Sequence, residues 1–462
     1  MGATSTLITT IDPATAAVLE RFPLMDAAQI DRKLDAAARG AREWATTPLD
    51  ERASVVRAIA ARLRAERDSL AATAVREMGK PIVQARAEVE KCAWGMEYFA
   101  EHAVRMLAPQ AAPSNAARSY VAFRPLGVVL AIMPWNFPYW QVFRAAAPAL
   151  MAGNVILLKH AANTTRCALE IERIFREAEA PEGVLGVLIA RGEEIDRLVG
   201  DPRIAAVTLT GSERAGAAVA RAAGESLKKC VLELGGSDPF VVFPDADLEH
   251  ATVTAVRSRF QNNGESCIAA KRFIVDNAVY DEFLTRFAER TKEQVVGNPM
   301  EERVQLGPCA RADLRTAVDE QVRATLESGA KLVLGGKPLA RNGFFYEPTV
   351  VAEVTPGMRM FDEEVFGPAA AVVRAKDRKH ALALANASSF GLGASLWTSD
   401  VEAAEKYGAR FEAGAVFING MVASDPRLPF GGIKKSGYGR ELSTFGIHEF
   451  VNIQTVWIGA SS

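Results

Sequence analysis

Short, almost wholly apolar runs alternate with helical spacers through the middle of this chain, and that alternation decides the fold class. The runs fall at Val128–Met133, Asn154–Lys159, Val184–Ile189, Ala205–Thr210 and Cys230–Leu234. A strand that alternates apolar with polar has one wet face, whereas a continuous apolar run is buried on both. Spacers long enough for a helix permit right-handed crossovers between parallel strands. The pattern therefore predicts an α/β fold: a doubly wound parallel sheet covered by helices, with ligands bound at the carboxyl ends of its strands. A second alternating block runs from Pro239 to about Asn419, with strands predicted at Phe240–Phe243, Arg272–Val275, Lys331–Leu334, Ala370–Val373, Ser395–Trp397 and Ala415–Ile418. Helical spacing at Tyr280–Val295 and Val401–Ala409 separates them, so this block reads as a second α/β unit.

The flanks differ from the middle. From Asp26 to Leu107 apolar residues recur at three and four, as in Ile30, Leu34 and Ala38, which predicts successive amphipathic helices. Ser119–Phe123 and the alternating Val451, Ile453, Thr455 and Trp457 predict two extended strands. Such strands need partners, so they are expected to form an oligomerisation arm completed by another subunit, with pairing inside one chain as the alternative. The division that follows is a dinucleotide-binding domain at 1–106 and 124–234, a catalytic domain at 235–436, and an arm at 107–123 and 437–462.

Charge and cysteine usage exclude several functions. Lys and Arg number 54 against 56 Asp and Glu, so no global field recruits nucleic acid or a membrane surface. No apolar run reaches the roughly 18 residues of a membrane span, and no secretory signal opens the chain, so a cytoplasmic protein is expected. The five cysteines are dispersed and contain no CxxC pair, so neither a disulfide framework nor a metal site is expected. Cys92, Cys167 and Cys230 sit in helical or strand patterns that predict burial.

Cys267 stands apart because its setting, Asn262-Asn263-Gly264-Glu265-Ser266-Cys267, is a polar turn of the kind that exposes a thiol. A histidine would be the usual base for a hydrolytic cysteine, but none of the five lies in a suitable loop. Glu233 is the better candidate, at the end of an apolar run where burial raises a carboxyl pKa and Gly235-Gly236 turns the backbone away. Asn136, between Pro134 and Pro138, has a restrained backbone and an amide able to donate to an oxyanion.

Those three residues, together with Pro134-Trp135-Asn136-Phe137-Pro138, Thr210-Gly211-Ser212, Glu233-Leu234-Gly235-Gly236, Glu364-Val365-Phe366-Gly367-Pro368 and Pro429-Phe430-Gly431-Gly432, resemble the aldehyde dehydrogenase superfamily in this order along nearly the whole chain. The resemblance implies NAD(P)-dependent oxidation of an aldehyde to an acid through a thioester on Cys267, with Asn136 and the Cys267 N–H on the oxyanion and Glu233 activating water. It also implies cofactor contacts from Trp135, Lys159, Gly211, Ser212, Gly216, Glu364 and Phe366. NAD-preferring relatives carry a glutamate where this chain has Ala162, so NADP is expected ahead of NAD, with Lys159 drawing the extra phosphate. Succinate semialdehyde dehydrogenases carry an arginine eight residues after the asparagine, which Arg144 matches, and Ser424 resembles their carboxylate-holding serine. If the segment after Pro138 is a helix, Asn136, Trp140 and Arg144 lie in line, and Arg144 can fork onto the far carboxylate of an ω-oxo acid. A broad-range or other semialdehyde dehydrogenase is the alternative, and a homodimer or homotetramer is expected. Cys267 is followed by Ile268 and Ala269, so the two-cysteine redox loop of some relatives is missing.

Overall fold

The structure, a computed structural model, describes residues 6–460; the outermost residues of the expected boundaries, 1–5 and 461–462, lie outside the described residues. It opens with a hairpin, β1 (Leu7–Ile11) and β2 (Val18–Pro23), that the sequence pattern does not announce. Its apolar residues do not alternate in sequence: Ile8 and Phe22 are buried together with Thr10, while Leu7, Ile11 and Val18 face outward. Four helices follow, α1 (Ala27–Thr46), α2 (Leu49–Ala65), α3 (Arg67–Met78) and α4 (Ile82–Met106). Asp26 starts α1 with a capping box, its carboxylate accepting from the Gln29 N–H and the Gln29 side chain accepting from the Asp26 N–H. The apolar stripe Ile30, Leu34, Ala37, Ala41 and Trp44 then turns inward.

After β3 (Gln110–Ala111) and β4 (Arg118–Pro125) comes the first parallel sheet: β5 (Val128–Met133), α5 (Trp140–Met151), β6 (Val155–His160), α6 (Thr165–Glu177), β7 (Leu185–Val187), α7 (Ile195–Gly200), β8 (Ile204–Thr210), α8 (Glu213–Glu225) and β9 (Lys229–Glu233). Every residue of β5 is buried, which is why it reads as an unbroken apolar run. The chain winds from β5 through β6 to β7, then returns to place β8 and β9 on the other side of β5. The order of winding therefore reverses between β5 and β8, and the loops leaving those two strands flank a crevice.

Two glycines after β9 lead into the second unit, β10 (Asp238–Val242), α9 (Leu248–Phe260), β11 (Ala270–Asp276), β12 (Lys331–Leu334), β13 (Thr349–Ala352), β14 (Ala369–Ala375), β15 (Phe390–Gly391), β16 (Gly393–Trp397) and β17 (Ala415–Ile418). Its seven-stranded sheet has the order β12-β13-β14-β11-β10-β16-β17, parallel except for β12. β18 (Ile433–Lys434) pairs with β15, and β19 (Gly437–Tyr438) returns to the first unit, antiparallel to β9 with Gly437 opposite Glu233. Residues 437–438, assigned to the arm from sequence, thus extend the first sheet.

The final strand, β20 (Val451–Ile458), pairs antiparallel with β4 along its whole length, from Val451 opposite Pro125 to Ile458 opposite Arg118. The two alternating strands find each other within one chain. Among the described residues no helix is long and apolar enough to cross a membrane, and no cluster of His, Cys, Asp and Glu is arranged to hold a metal.

Candidate active site

The turn that carries Cys267 is built from three successive left-handed residues, Asn262 (φ 53°), Asn263 (φ 60°) and Gly264 (φ 72°). Asparagine tolerates this conformation through local hydrogen bonds and glycine adopts it freely. At Gly264 there is also no room: a Cβ would sit 2.4 Å from the Gly367 carbonyl oxygen. Buried donors then fix the turn. The Arg259 guanidinium, fully buried, donates to the carbonyls of Gly264 at 2.8 Å and of Ala270 and Val365 at 3.1 Å. Asn262 Nδ2 donates to the Asn136 and Glu265 carbonyls, both at 2.9 Å, and Lys271 Nζ donates to the carbonyls of Ser266 at 2.7 Å and Cys267 at 2.6 Å. The Cys267 carbonyl is tied back while, among the described residues, its N–H has no acceptor. Its thiol is half-buried and lines a cavity.

Asn136 reaches the same turn from the other domain. Its amide is oriented by Gln141, whose Nε2 donates to Asn136 Oδ1 at 2.9 Å, so that Asn136 Nδ2 faces the Cys267 turn and donates to the Glu265 carbonyl at 3.0 Å. An amide nitrogen has two hydrogens, so one remains to donate elsewhere. The loop itself is clamped at both sides. Glu88 on α4 accepts from the N–H groups of Tyr139 (2.8 Å) and Trp140 (2.9 Å), capping α5, and is ion-paired with the buried Lys80. The His160 ring bonds the Pro138 carbonyl at 2.9 Å, and burial pushes its pKa down to about 4, so it is a neutral strut. Because α5 begins only at Trp140, Asn136 is not on the helix: Trp140 and Arg144 share a helical face, and Asn136 precedes it.

Glu233, the last residue of β9, has both carboxyl oxygens buried without a hydrogen-bond partner. Burial first, and then the neighbouring Glu441, push its pKa well above the usual carboxylate range, against the pull of Arg144 and Arg440. The Cys267 thiol is pushed up to about 12 by burial, with Arg144 and Lys271 pulling it down and Glu364 and Glu233 pushing it up. Sulfur, carboxyl and guanidinium therefore lie within electrostatic reach of one another. Burial is the first cause of both shifts and favours the protonated form of each group, while the nearby Arg144 favours the charged forms.

Arg144 departs from its expected freedom to fork onto a substrate. It is ion-paired with Glu441, donates from Nη2 to Thr210 Oγ1 at 3.3 Å, and lies 4.5 Å over the Phe430 ring. It nevertheless lines the cavity of about 770 Å³ that also presents Cys267, Phe137, Trp140 and Ser424. Ser424 Oγ accepts from Trp140 Nε1 at 3.0 Å and from Lys91 Nζ at 2.8 Å. Asn136 and Glu233 are not part of that lining; both are buried, and Asn136 is hydrogen-bonded to the turn that forms one of its walls. Lys91, Lys271 and Glu441 are absent from the sequence-derived set. The signal for Lys271 is a pair of charged residues, Lys271 and Arg272, inside the otherwise apolar Ile268–Val275 run; for Lys91 and Glu441 none exists before their partners are in place.

The crevice at the carboxyl ends of β5, β6 and β8 fits a dinucleotide. Ser212 caps α8, its Oγ accepting from the Ala215 N–H at 3.3 Å, and the helix N-terminus opens beside Gly211. Gly216 lets α8 close onto β9's end, since a Cβ there would meet Leu234 at 2.6 Å. Past β6, Ala162 is exposed, Asn163 Nδ2 is buried with no partner, and the half-buried Lys159 has its pKa lowered by burial, with Glu193 as the opposing charge. Near the Cys267 end the rings of Trp135 and Phe366 meet edge to face at 5.7 Å. Glu364 accepts from the Gly236 N–H at 2.9 Å and stands 3.5 Å from Lys271 Nζ.

This architecture recurs in known proteins. The aldehyde dehydrogenase family matches residues 1–456. The NAD(P)+ succinate semialdehyde dehydrogenase Sad of Escherichia coli K12 is 52% identical over 447 residues, 97% of each chain. The NADP+ succinate-semialdehyde dehydrogenase of Mycobacterium avium strain 104 is 48% identical over 458 residues, 98% of this chain and 97% of that one. The crystal structure of succinic semialdehyde dehydrogenase from Streptococcus pyogenes, in complex with NADP+ as the cofactor, superposes with a TM-score of 0.96 at 36% identity, covering 98% of this chain and all of the other. The chain belongs to the aldehyde dehydrogenase family.

Proposed function

We propose that this chain oxidises succinate semialdehyde to succinate, with NADP accepted ahead of NAD. The observation that carries the reading is the cavity itself: Cys267 lines it together with a polar patch of Arg144, Trp140 and Ser424, so one molecule can present an aldehyde to the sulfur and a carboxylate to the patch. The relatives named for this substrate, matched over 97% of the chain or more, support the choice.

In this reading the Cys267 thiol passes its proton to solvent in the cavity, and the thiolate, favoured by Arg144 and Lys271, attacks the aldehyde carbon. The new oxyanion receives the unoccupied N–H of Asn136 and the backbone N–H of Cys267. NADP, when bound, supplies the acceptor for the hydride, and Ser212, Lys159, Glu364 and the Trp135–Phe366 pair are the residues that would hold it. The thioester left on Cys267 is then hydrolysed by water that gives its proton to Glu233, whose raised pKa suits a base working near neutral pH. Ala162 leaves no carboxylate to repel a 2′-phosphate, and Lys159 attracts it. The acidic Glu193 near Lys159 supports retained use of NAD.

Ile453, Trp457 and Ile458 on β20 are exposed and apolar, and β20 is the outer strand of its three-stranded sheet, which supports that edge as the contact of a homodimer or homotetramer. Reduction of each cofactor, followed by absorbance with succinate semialdehyde and with butanal, tests the substrate claim: equal kcat/KM for the two aldehydes contradicts it.

A further inference from the structure

Ser424 is hydrogen-bonded in an unusual sense, as an acceptor twice over. Its oxygen takes Lys91 Nζ at 2.8 Å and Trp140 Nε1 at 3.0 Å. A hydroxyl has two lone pairs and one proton, so with both lone pairs engaged the proton must be donated to something else. Among the described residues nothing accepts it.

Lys91 is in the same position. One of its three N–H bonds goes to Ser424, its ammonium lies 4.6 Å from the Trp140 ring, and among the described residues no carboxylate is close enough to be its ion pair. Asp425 is the nearest candidate in sequence to Ser424, but it is paired with Arg427 at 2.6 Å. Glu88, one helical turn before Lys91, is committed to Lys80 and to the N-terminus of α5. Arg144, by contrast, has its charge answered by Glu441. The cavity wall thus holds a cation without a counter-charge beside a hydroxyl whose proton has no acceptor, both on rigid supports. Donors converge there with no acceptor between them, which is the composition of an anion site.

We propose that Lys91, held by Ser424 and Trp140, completes the polar patch that receives the far carboxylate of the substrate and is the residue that selects carboxylated aldehydes. The inference rests on the reading that the substrate carries a carboxylate. It adds a cation from α4 to the patch that Arg144, Trp140 and Ser424 form.

Selection of this kind depends on pH. Burial and then Arg144 push the Lys91 pKa down to about 8, while Cys92, Asp425 and Glu88 oppose the shift. Arg257, Arg290 and Glu293 complete the charged groups around the cavity. Protonated Lys91 binds a carboxylate and neutral Lys91 does not, so preference for the charged aldehyde is present below that range and declines above it.

The test compares succinate semialdehyde with butanal on the wild-type enzyme, Lys91→Met and Lys91→Arg, from about pH 6.5 to about pH 9.5. Lys91→Met is expected to raise KM for succinate semialdehyde about 10- to 100-fold with little change in kcat, lowering the charged-to-neutral kcat/KM ratio by that factor. Lys91→Arg restores most of the ratio, and the wild-type ratio falls as pH rises past about 8 whereas that of Lys91→Met is flat. A Lys91→Met enzyme that keeps the wild-type ratio, or that loses kcat equally on both aldehydes, overturns the assignment while leaving the substrate reading intact. Should Lys91→Met not fold, a pH-independent ratio in the wild type overturns it alone. A wild-type enzyme with no preference for succinate semialdehyde overturns the carboxylated substrate itself, and the role of Lys91 with it.

Discussion

Replacing Asn136 by alanine separates chemistry from scaffolding at the oxyanion position. The side chain makes two bonds: Nδ2 to the Glu265 carbonyl and Oδ1 from Gln141 Nε2. Glu265 keeps an alternative donor, since Asn262 Nδ2 also reaches its carbonyl at 2.9 Å. Gln141 does not, and its Oε1 is already buried without a partner. The stability loss is therefore that of one orphaned buried amide, about 1–3 kcal/mol. The kinetic loss is larger, because an oxyanion donor contributes about 10²–10³ in kcat. Urea unfolding gives the first quantity and initial rates of cofactor reduction the second. Adding Gln141→Leu removes the orphaned amide, so the double variant is expected to regain stability and none of the activity. Recovery of kcat in the double variant, or a single-variant loss below about tenfold, refutes the donor role.

Glu233→Gln is expected to lower steady-state kcat by about 10²–10⁴ while a first burst of cofactor reduction survives, measured by stopped-flow absorbance. Because the Glu233 pKa is raised, its base form grows as pH rises, so the wild-type hydrolytic step accelerates with pH above the usual carboxylate range and the variant lacks that limb. Ala162→Glu is expected to lower kcat/KM for NADP relative to NAD about 10- to 100-fold, and an unchanged ratio removes Ala162 from cofactor choice. Glu441→Gln leaves the buried Arg144 guanidinium without its partner and is expected to cost about 3–5 kcal/mol in urea unfolding, most of it recovered by adding Arg144→Met.

Much of this molecule is legible in its sequence because burial on both faces of a parallel sheet leaves so plain a mark. The run at Val128–Met133 is the wholly buried β5 and that at Ala205–Thr210 falls within the largely buried β8, and the alternating Val451–Trp457 segment lies in the strand that pairs with β4. What stayed hidden is what depends on tertiary neighbours. The hairpin at Leu7–Pro23 buries Thr10 with Ile8 and Phe22 and exposes Leu7, Ile11 and Val18, so no apolar alternation marks it in the sequence. Arg144 reads as a free cation until Glu441, almost three hundred residues later, is seen to pair with it. Lys91 reads as an ordinary helix-surface lysine until Ser424 and Trp140 close around it. Residue type and spacing single out Cys267, Glu233 and Asn136 as candidates; only the folded chain could say which charges near them are already answered.

The claim on which all of this depends is a covalent bond between substrate and Cys267. Mixing Glu233→Gln enzyme with succinate semialdehyde and NADP, quenching in acid and mapping peptides by mass measures it directly. The expected result is one acyl group per chain, on the Cys267 thiol, lost with Cys267→Ser together with turnover. Acylation at the half-buried Cys230 instead, or turnover that persists in Cys267→Ser, contradicts it.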